Sequence, residues 1–386
     1  MNSPKRRWSP GRAALTRRVV RLSSDEPRLF DVVSYGRAGP QMPSRFSPAQ
    51  IDQISRTVRR TPEVMVKVTG GGTRRGAVAA HFAYISRRGA LEIETDEGER
   101  IGRPDEQKRL LDDWHLELTA GQYRGKVDGG PVRRPTKLVH NIVLSMPAPT
   151  HPDLVLAAAR KFARQRFARH RYAMVLHTDQ KHPHVHLVVK AENELGRRLH
   201  IDKQLLRDWR EDFARLMREQ GIAANATPRA IRGENKKKPR NEIFKAQRYG
   251  KSTALRDRVI GIAQELTRSK TVADPARERL IETRKSLVST WMKAAEVLDA
   301  QGEMILAGDV RYFAGHLPPV LTDRQRLAAQ FIKFTQKQRQ IQRDGPQRGY
   351  PEGPGADAVG LRGYSHEKHV EKSICAQPGD SSKSPA

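Results

Sequence analysis

The chain has 386 residues, of which 72 are Lys or Arg and 43 are Asp or Glu, giving a formal net charge of +29. Hydrophobic residues make up 37%, below the roughly 45–50% of ordinary globular domains, which predicts a packed core with solvated basic extensions. The charge predicts a polyanionic partner, with nucleic acid as the first candidate and an anionic membrane surface as the second.

Cysteine usage and hydropathy exclude several other classes of protein. The single cysteine, Cys375, excludes a disulfide scaffold and a cysteine metal cluster. No apolar run approaches the roughly 20 residues that cross a bilayer, and the basic N-terminus lacks the apolar centre of a signal peptide. We therefore expect no membrane insertion and a cytoplasmic location.

The order of elements along the chain predicts an α+β class. Residues 1–58 carry many arginines without sustained periodicity, which predicts a flexible basic arm with one short helix at 48–57. Strands mixed with helices and at least one hairpin follow, which favours a largely antiparallel sheet. Strands are predicted at 64–68, 91–94, 137–146, 172–177 and 184–190, and helices at 76–87, 104–118, 152–170 and 203–220.

The last third of the chain has a different composition. Helical patterns occur near 253–270, 275–300 and 322–343, after a lysine- and arginine-rich stretch. From residue 345 onward, 12 of 42 residues are Gly or Pro, which predicts a disordered tail. The predicted division is an arm at 1–58, a main domain at 59–232, a basic linker with a helical region at 233–344, and a tail at 345–386.

Four histidines lie within ten residues, in the stretch HTDQKHPHVH. Alternate side chains of a strand share a face, so His184 and His186 point the same way. A hairpin around 179–183 would place His177 opposite His184, and His182 would fall in the loop. Three imidazoles on one face suit a single divalent cation and leave coordination positions open for substrate oxygens.

Asp179 lies two residues after His177 and has two possible roles. It is placed to orient an imidazole by accepting its second N–H. Its alternative role is that of an ordinary turn former in the loop.

At this point the chain resembles a known family. HTDQKHPHVHLVVK is similar to the HxDxxxPHxH metal-binding hairpin of HUH endonucleases, specifically the mobilisation and VirD-type conjugative relaxases. KVTGGGTRRGAVAAHFAYISRRG resembles their first motif and HNIVLSMP their second, while FARLMREQGIAANATPR is similar to the segment after the third. The resemblance spans about residues 62–232, with one departure at Lys190, where many members have Asn.

The resemblance implies a fold, a reaction and a set of partners. The fold would be the HUH fold, α+β, with a central, mainly antiparallel five-stranded sheet flanked by helices, followed here by a helical C-terminal region. Tyr84 would nick a transfer origin through a 5′-phosphotyrosyl intermediate, starting conjugative transfer or mobilisation of a plasmid or integrative element. His177, His184 and His186 would bind Mg²⁺ or Mn²⁺.

The partners that the resemblance implies are DNA, accessory relaxosome proteins and a type IV secretion coupling protein. It places the protein in the bacterial cytoplasm and implies export covalently attached to DNA.

The residues themselves leave the nucleophile open. Tyr84 follows the first strand and a Gly-rich turn, and it could simply pack on a helix beside Phe82 and Ile85. The motif order favours Tyr84 as nucleophile, with Tyr123 as the alternative. His81 would share the helical face of Tyr84, although an ordinary surface histidine is the favoured interpretation.

Cationic side chains flank the candidate nucleophile. Arg74 and Arg75 follow the Gly-rich turn, and Arg87 and Arg88 follow Tyr84. They are predicted to bind DNA phosphates. Ser145 is predicted, by resemblance, to contact DNA near the nick; otherwise it is a serine at a strand end.

Two alternative functions remain at the level of sequence. A rolling-circle replication initiator uses the same chemistry, but its tyrosine usually follows the histidine motif, whereas Tyr84 precedes it. A non-enzymatic basic nucleic-acid-binding protein would bind without Tyr84 and without a divalent cation.

Overall fold

The structure, a computed structural model, describes residues 42–116, 136–235, 253–269 and 274–344. Its helices are α1 (Pro48–Val58), α2 (Arg75–Ile85), α3 (Pro104–Asp113), α4 (Pro152–Arg166), α5 (Lys203–Glu219), α6 (Thr253–Arg268), α7 (Ala276–Ala300), α8 (Met304–Gly315) and α9 (Asp323–Asp344). Its strands are β1 (Met65–Gly70), β2 (Ile93–Thr95), β3 (Arg100–Ile101), β4 (Val139–Ser145), β5 (Tyr172–His177) and β6 (His184–Lys190).

The strands form one antiparallel sheet in the order β1-β4-β6-β5-β2-β3. The predicted α+β class with a mainly antiparallel sheet is confirmed. The described sheet has six strands, which corrects the expected five. The additional strand, β3, is two residues long and pairs with β2. A pair of residues is too short to show the alternation by which a strand is predicted.

Helices cover both faces of the sheet. They do so because the strands place apolar side chains on each face. On one face, Ile142 and Leu144 of β4 pack in a core with Phe162 of α4 and Trp209 of α5. On the other face, Val139 of β4 belongs to a core formed with α2 and α3. Each central strand is therefore buried on both sides along much of its length, which fixes its register.

Local signals determine where the helices begin. The Ser47 side chain accepts a hydrogen bond from the Gln50 N–H, and the Gln50 side chain accepts one from the Ser47 N–H, so that α1 starts with a capping box. Asp202 caps α5 by accepting from the Leu205 N–H. Helices α3 and α4 each start at a proline, whose fixed φ suits the first helical position.

A second core joins the N-terminal helix to the C-terminal region. Phe46, just before α1, and Ile54, within it, pack with Trp291 of α7 and Phe313 of α8. The helix predicted at 48–57 is confirmed as α1. Helix α8 was not predicted from the sequence, because Gly308 within it and exposed Ile305 obscure its apolar stripe.

The predicted division into domains stays a prediction. Residues 1–41 of the predicted arm, the whole predicted tail and most of the basic linker lie outside the described residues. Within the described ranges, no helix combines the length and apolar character that crossing a membrane requires.

Candidate active site

Three histidine side chains meet where β5 and β6 are joined. His177 ends β5 and is paired with His184 at the start of β6, as the hairpin prediction requires. His186 follows two residues later on the same face. The ring centroid of His177 lies 5.1 Å from that of His184 and 4.6 Å from that of His186. One nitrogen from each of the three imidazoles lies within 4.8 Å of the others.

This set of donors fits a divalent cation. Ligands about 2 Å from one ion are about 3–4 Å apart, so small side-chain rotations bring the three nitrogens to that separation. Burial lowers the pKa of His177. Burial, together with repulsion from the neighbouring imidazoles, lowers the pKa of His186 to about 3. Both rings are therefore neutral at pH 7, the form that binds metal.

The orientation of His177 is fixed from helix α2. Its side chain is only 1% exposed, and Nε2 lies 2.6 Å from the carbonyl oxygen of Ile85. A carbonyl can only accept, so Nε2 carries the proton and Nδ1 carries the lone pair. Nδ1 is therefore the nitrogen of His177 that is available as a ligand.

Asp179 makes no direct hydrogen bond to His177. Its Oδ1 lies 3.9 Å from Nδ1 of His177, beyond hydrogen-bond distance, and the Ile85 carbonyl is the acceptor instead. Arg87 lies between the two groups: its Nη2 is 3.2 Å from Nδ1 of His177 and donates to Oδ2 of Asp179 at 2.6 Å. That hydrogen bond lowers the pKa of Asp179. Asp179 is thus linked to His177 through Arg87, and its orienting role stays a prediction.

An unusual backbone turn places Arg87 there. Arg87 and Arg88 both adopt left-handed conformations, with φ of 53° and 59°, before Gly89 at 94°. Each such non-glycine residue costs roughly 1–2 kcal/mol. The buried hydroxyl of Ser86 offsets part of this cost, since it accepts from the Gly89 N–H and from the Gln107 side-chain amide. The turn carries the guanidinium of Arg87 from the end of α2 to the histidines.

Tyr84 lies at the edge of the same cluster. Its side chain is 62% exposed, which excludes the alternative that it packs in the core; Phe82 and Ile85 fill that place. The His81 ring lies 6.3 Å from the Tyr84 ring and 6.3 Å from that of His186. The Arg87 guanidinium carbon lies 5.3 Å from the Tyr84 ring centroid. The phenol is therefore accessible, lies beside the Arg87 cation, and is separated from the three histidines by the ring of His81.

His81 was not predicted as part of this site. It is partly buried, its Nε2 has no hydrogen-bond partner among the described residues, and burial lowers its pKa. Its helical spacing from Tyr84 was visible in the sequence, but its contact with His186 depends on how α2 packs on the sheet.

The other predicted DNA-binding residues differ in how they are placed. Arg74 and Arg88 are exposed. Arg75 forms an ion pair with Asp112 of α3, so its charge is partly engaged within the fold. Ser145 is 3% exposed and donates to the carbonyl of Pro183 at 3.0 Å. The hydroxyl thus contacts the histidine hairpin, and its predicted contact with DNA stays a prediction.

Two further residues complete the comparison with the sequence. His182 lies in the loop as predicted, and its Nδ1 accepts from the Ala148 N–H at 3.1 Å. Tyr123, the alternative nucleophile, lies outside the described residues.

Comparison with known proteins shows what the part of the chain that carries this site is similar to. The sequence model of the relaxase family described as MobA/VirD2-like, nuclease domain, matches residues 114–222. T-DNA border endonuclease VirD2 of Rhizobium radiobacter is 31% identical over 191 residues, which cover 44% of this chain and 43% of the relative. VirD2 of Agrobacterium fabrum is also 31% identical, over 41% of its own length, and VirD2 of Rhizobium rhizogenes is 30% identical. The chain thus spans less than half the length of these relatives.

A solved structure with a partial match comes from work on the "Molecular Basis of Vancomycin Resistance Transfer in Staphylococcus aureus". It is 12% identical, with a TM-score of 0.30, and the match covers 44% of this chain and 99% of that chain.

The match to the family's sequence model includes the whole histidine hairpin, as the motifs predicted. Residues 114–222, which carry the histidine hairpin, are therefore similar to the nuclease domain of MobA/VirD2-like relaxases.

Proposed function

We propose that the protein is a relaxase that nicks one strand of DNA, with Tyr84 as nucleophile beside a divalent cation held by His177, His184 and His186. The observation that carries this proposal is an exposed tyrosine one histidine ring away from three clustered imidazoles. The similarity to T-DNA border endonucleases supports DNA as the substrate.

The reaction is a transesterification. The Tyr84 oxygen, losing its proton, bonds to the scissile phosphorus, and the bond from phosphorus to the 3′ oxygen breaks. That oxygen takes up a proton and leaves as a free 3′ hydroxyl, while the 5′ phosphate stays joined to the protein. The phosphodiester energy is kept in the phosphotyrosine, so that the strand can later be rejoined without ATP.

The surrounding residues position the reacting groups. A cation on the three histidines, Mg²⁺ or Mn²⁺, would polarise the phosphate oxygens and balance their charge. Arg87 extends over the Tyr84 ring and is placed to bind the same phosphate, and Asp179 holds that guanidinium in place. Arg74 and Arg88 are exposed just beyond the two ends of α2, the helix that carries Tyr84, and would bind flanking phosphates.

The biological setting follows from the same proposal. The substrate would be a transfer origin on a plasmid or integrative element, and nicking would start its conjugative transfer or mobilisation. Accessory relaxosome proteins and a type IV secretion coupling protein would be partners, and the protein would leave the bacterial cytoplasm joined to DNA. Residues 59–232 would form the nuclease domain, and 233–344 would serve these partners.

A nicking assay tests the proposed function. Supercoiled DNA carrying the transfer region of the protein's own genetic element is incubated with the protein and Mg²⁺ or Mn²⁺, then resolved on denaturing gels. We expect one nicked strand with protein on its 5′ end, and no product in EDTA. Tight, salt-sensitive binding without any nick would instead support a non-enzymatic nucleic-acid-binding protein.

Replacement of Arg87 by Met is expected to tighten Mn²⁺ binding by roughly threefold to tenfold. The substitution removes a donor from Nδ1 of His177 and a positive charge from beside the ion. Isothermal titration calorimetry without DNA measures the change. Arg88→Met is the matched control, since Arg88 is exposed in the same turn. Weaker binding by Arg87→Met would show that Arg87 instead orients His177 for the cation.

A further inference from the structure

The edge strand β1 extends the face of the sheet that carries the histidines. Met65 pairs with Ser145, which pairs with His184 on the next strand. Lys67 lies one step further along β1 and pairs with Val143. Paired residues of neighbouring antiparallel strands share a face, so these side chains and the histidines point to the same side of the sheet.

Lys67 and His186 occupy a single row across three strands, since Val143 pairs with both of them. Two strand spacings separate their Cα atoms, a distance of about 10 Å. The long, flexible side chain of lysine can bring its ammonium group closer to a ligand held at the histidines.

This strip of β1 is open to solvent on the histidine side. Met65 is 46% exposed, and Lys67 and Thr69 are exposed as well. The intervening Val66 is 1% exposed and packs on the opposite face, in the core formed with α4 and α5. The alternation places one methionine and one lysine on a surface continuous with the candidate active site.

The charge of Lys67 has no ion-pair partner in the part of the chain that the structure describes. Within the described ranges, no carboxylate lies within ion-pair distance of its ammonium group, whereas Arg75 and Arg87, near the same site, each pair with an aspartate. A free cation on an open strip suits a phosphate group, and an exposed thioether suits the apolar surface of a sugar or base.

The geometry points to a nucleotide subsite on β1, in which Lys67 binds the phosphate next to the scissile one and Met65 contacts the sugar or base of that nucleotide. The ligand is single-stranded DNA. This assignment rests on the proposed function, because it takes the scissile phosphate to lie at the histidines. It adds positioning roles for Lys67, the first residue of the stretch that resembles the first motif, and for Met65 just before it.

Salt-dependent binding tests the subsite. The full chain and its variants are titrated with fluorescein-labelled single-stranded oligonucleotides that tile the transfer region, in EDTA, at several salt concentrations. We expect Lys67→Gln to weaken binding roughly threefold to tenfold and to reduce the slope of log affinity against log salt by about 0.7, one phosphate contact. Met65→Ala should weaken binding without changing the slope.

Two control variants test whether the effect of Lys67→Gln comes from the loss of a charge at that position. Lys203→Gln removes the same charge from an exposed position of α5, a helix that packs on the opposite face of the sheet, and should leave the slope unchanged. Lys67→Arg keeps the positive charge and should therefore show the wild-type slope. A slope for Lys67→Gln equal to that of the wild type would overturn the subsite. The nicking assay is separate: no nick by the wild type overturns the proposed function, whereas a nick with an unchanged slope overturns the subsite alone.

Discussion

Tyr84→Phe is expected to lower formation of the covalent protein–DNA adduct by about a thousandfold or more, because the substitution removes the only oxygen that this side chain can offer to phosphorus. The ring remains, and the side chain is 62% exposed, so the free energy of unfolding should change by less than about 0.5 kcal/mol. Binding of Mn²⁺ should be unchanged, since the tyrosine is not among the three candidate ligands. Denaturing gels measure the adduct, and calorimetry measures the metal.

A matched control is available on the C-terminal side of the molecule. Tyr312 of α8 is 68% exposed and lies in a helix of the second core, and its change to Phe removes the same atom from a similar environment. Tyr312→Phe should form the adduct at the wild-type level. An adduct that survives in Tyr84→Phe would leave the enzyme class standing and transfer the nucleophile to another tyrosine, with Tyr123→Phe as the next variant.

The histidine cluster could be predicted because it depends on local structure. A strand places every second side chain on one face, and a short loop between two strands fixes which residues are opposite. The pairing of His177 with His184 therefore follows from spacing alone, as does the exclusion of His182. Val185, between the two histidines of β6, and Leu187 after them pack on the far face, as is expected of a central strand.

The connection between Tyr84 and the histidines could not be predicted in the same way. It depends on two successive left-handed arginines, a conformation that no propensity favours outside glycine and asparagine. Gly89 indicated the end of the helix but not the path of the chain before it. The bridge from Arg87 to Asp179 is a tertiary contact across 92 residues, and the sequence indicated only that both residues were near functional groups.

The burial of Ser145 could not be predicted for a related reason. Its place at the end of a strand was predicted correctly, but a strand end can be open or covered. Here the carbonyl of Pro183, at the turn of the neighbouring hairpin, accepts a hydrogen bond from the Ser145 hydroxyl and covers it. The exposure of a residue at a strand end thus depends on the loop of the neighbouring strand. The sequence of the strand itself carries no information about that loop.

His186→Ala is expected to weaken Mn²⁺ binding by about a hundredfold or more. The loss of outer partners of a metal site already costs tenfold to about a hundredfold, and this substitution removes a candidate ligand outright. In the wild type, a cation at about 100 times its dissociation constant adds about 2.7 kcal/mol to the free energy of unfolding. At the same concentration, His186→Ala should gain almost none. Calorimetry gives the affinity, and denaturant unfolding with and without Mn²⁺ gives the stabilisation.

His182→Ala is the control that makes the result specific to geometry. It removes an imidazole from the same hairpin, but His182 is exposed in the loop and bonds to the Ala148 backbone, outside the cluster of three. Its Mn²⁺ affinity should match that of the wild type. Equal losses in both variants would mean that the hairpin binds the cation through general histidine density, and an unchanged affinity in His186→Ala would place the cation elsewhere. A loss confined to His186→Ala requires ligands on the one face that strand alternation defines, which is also the face that presents Tyr84.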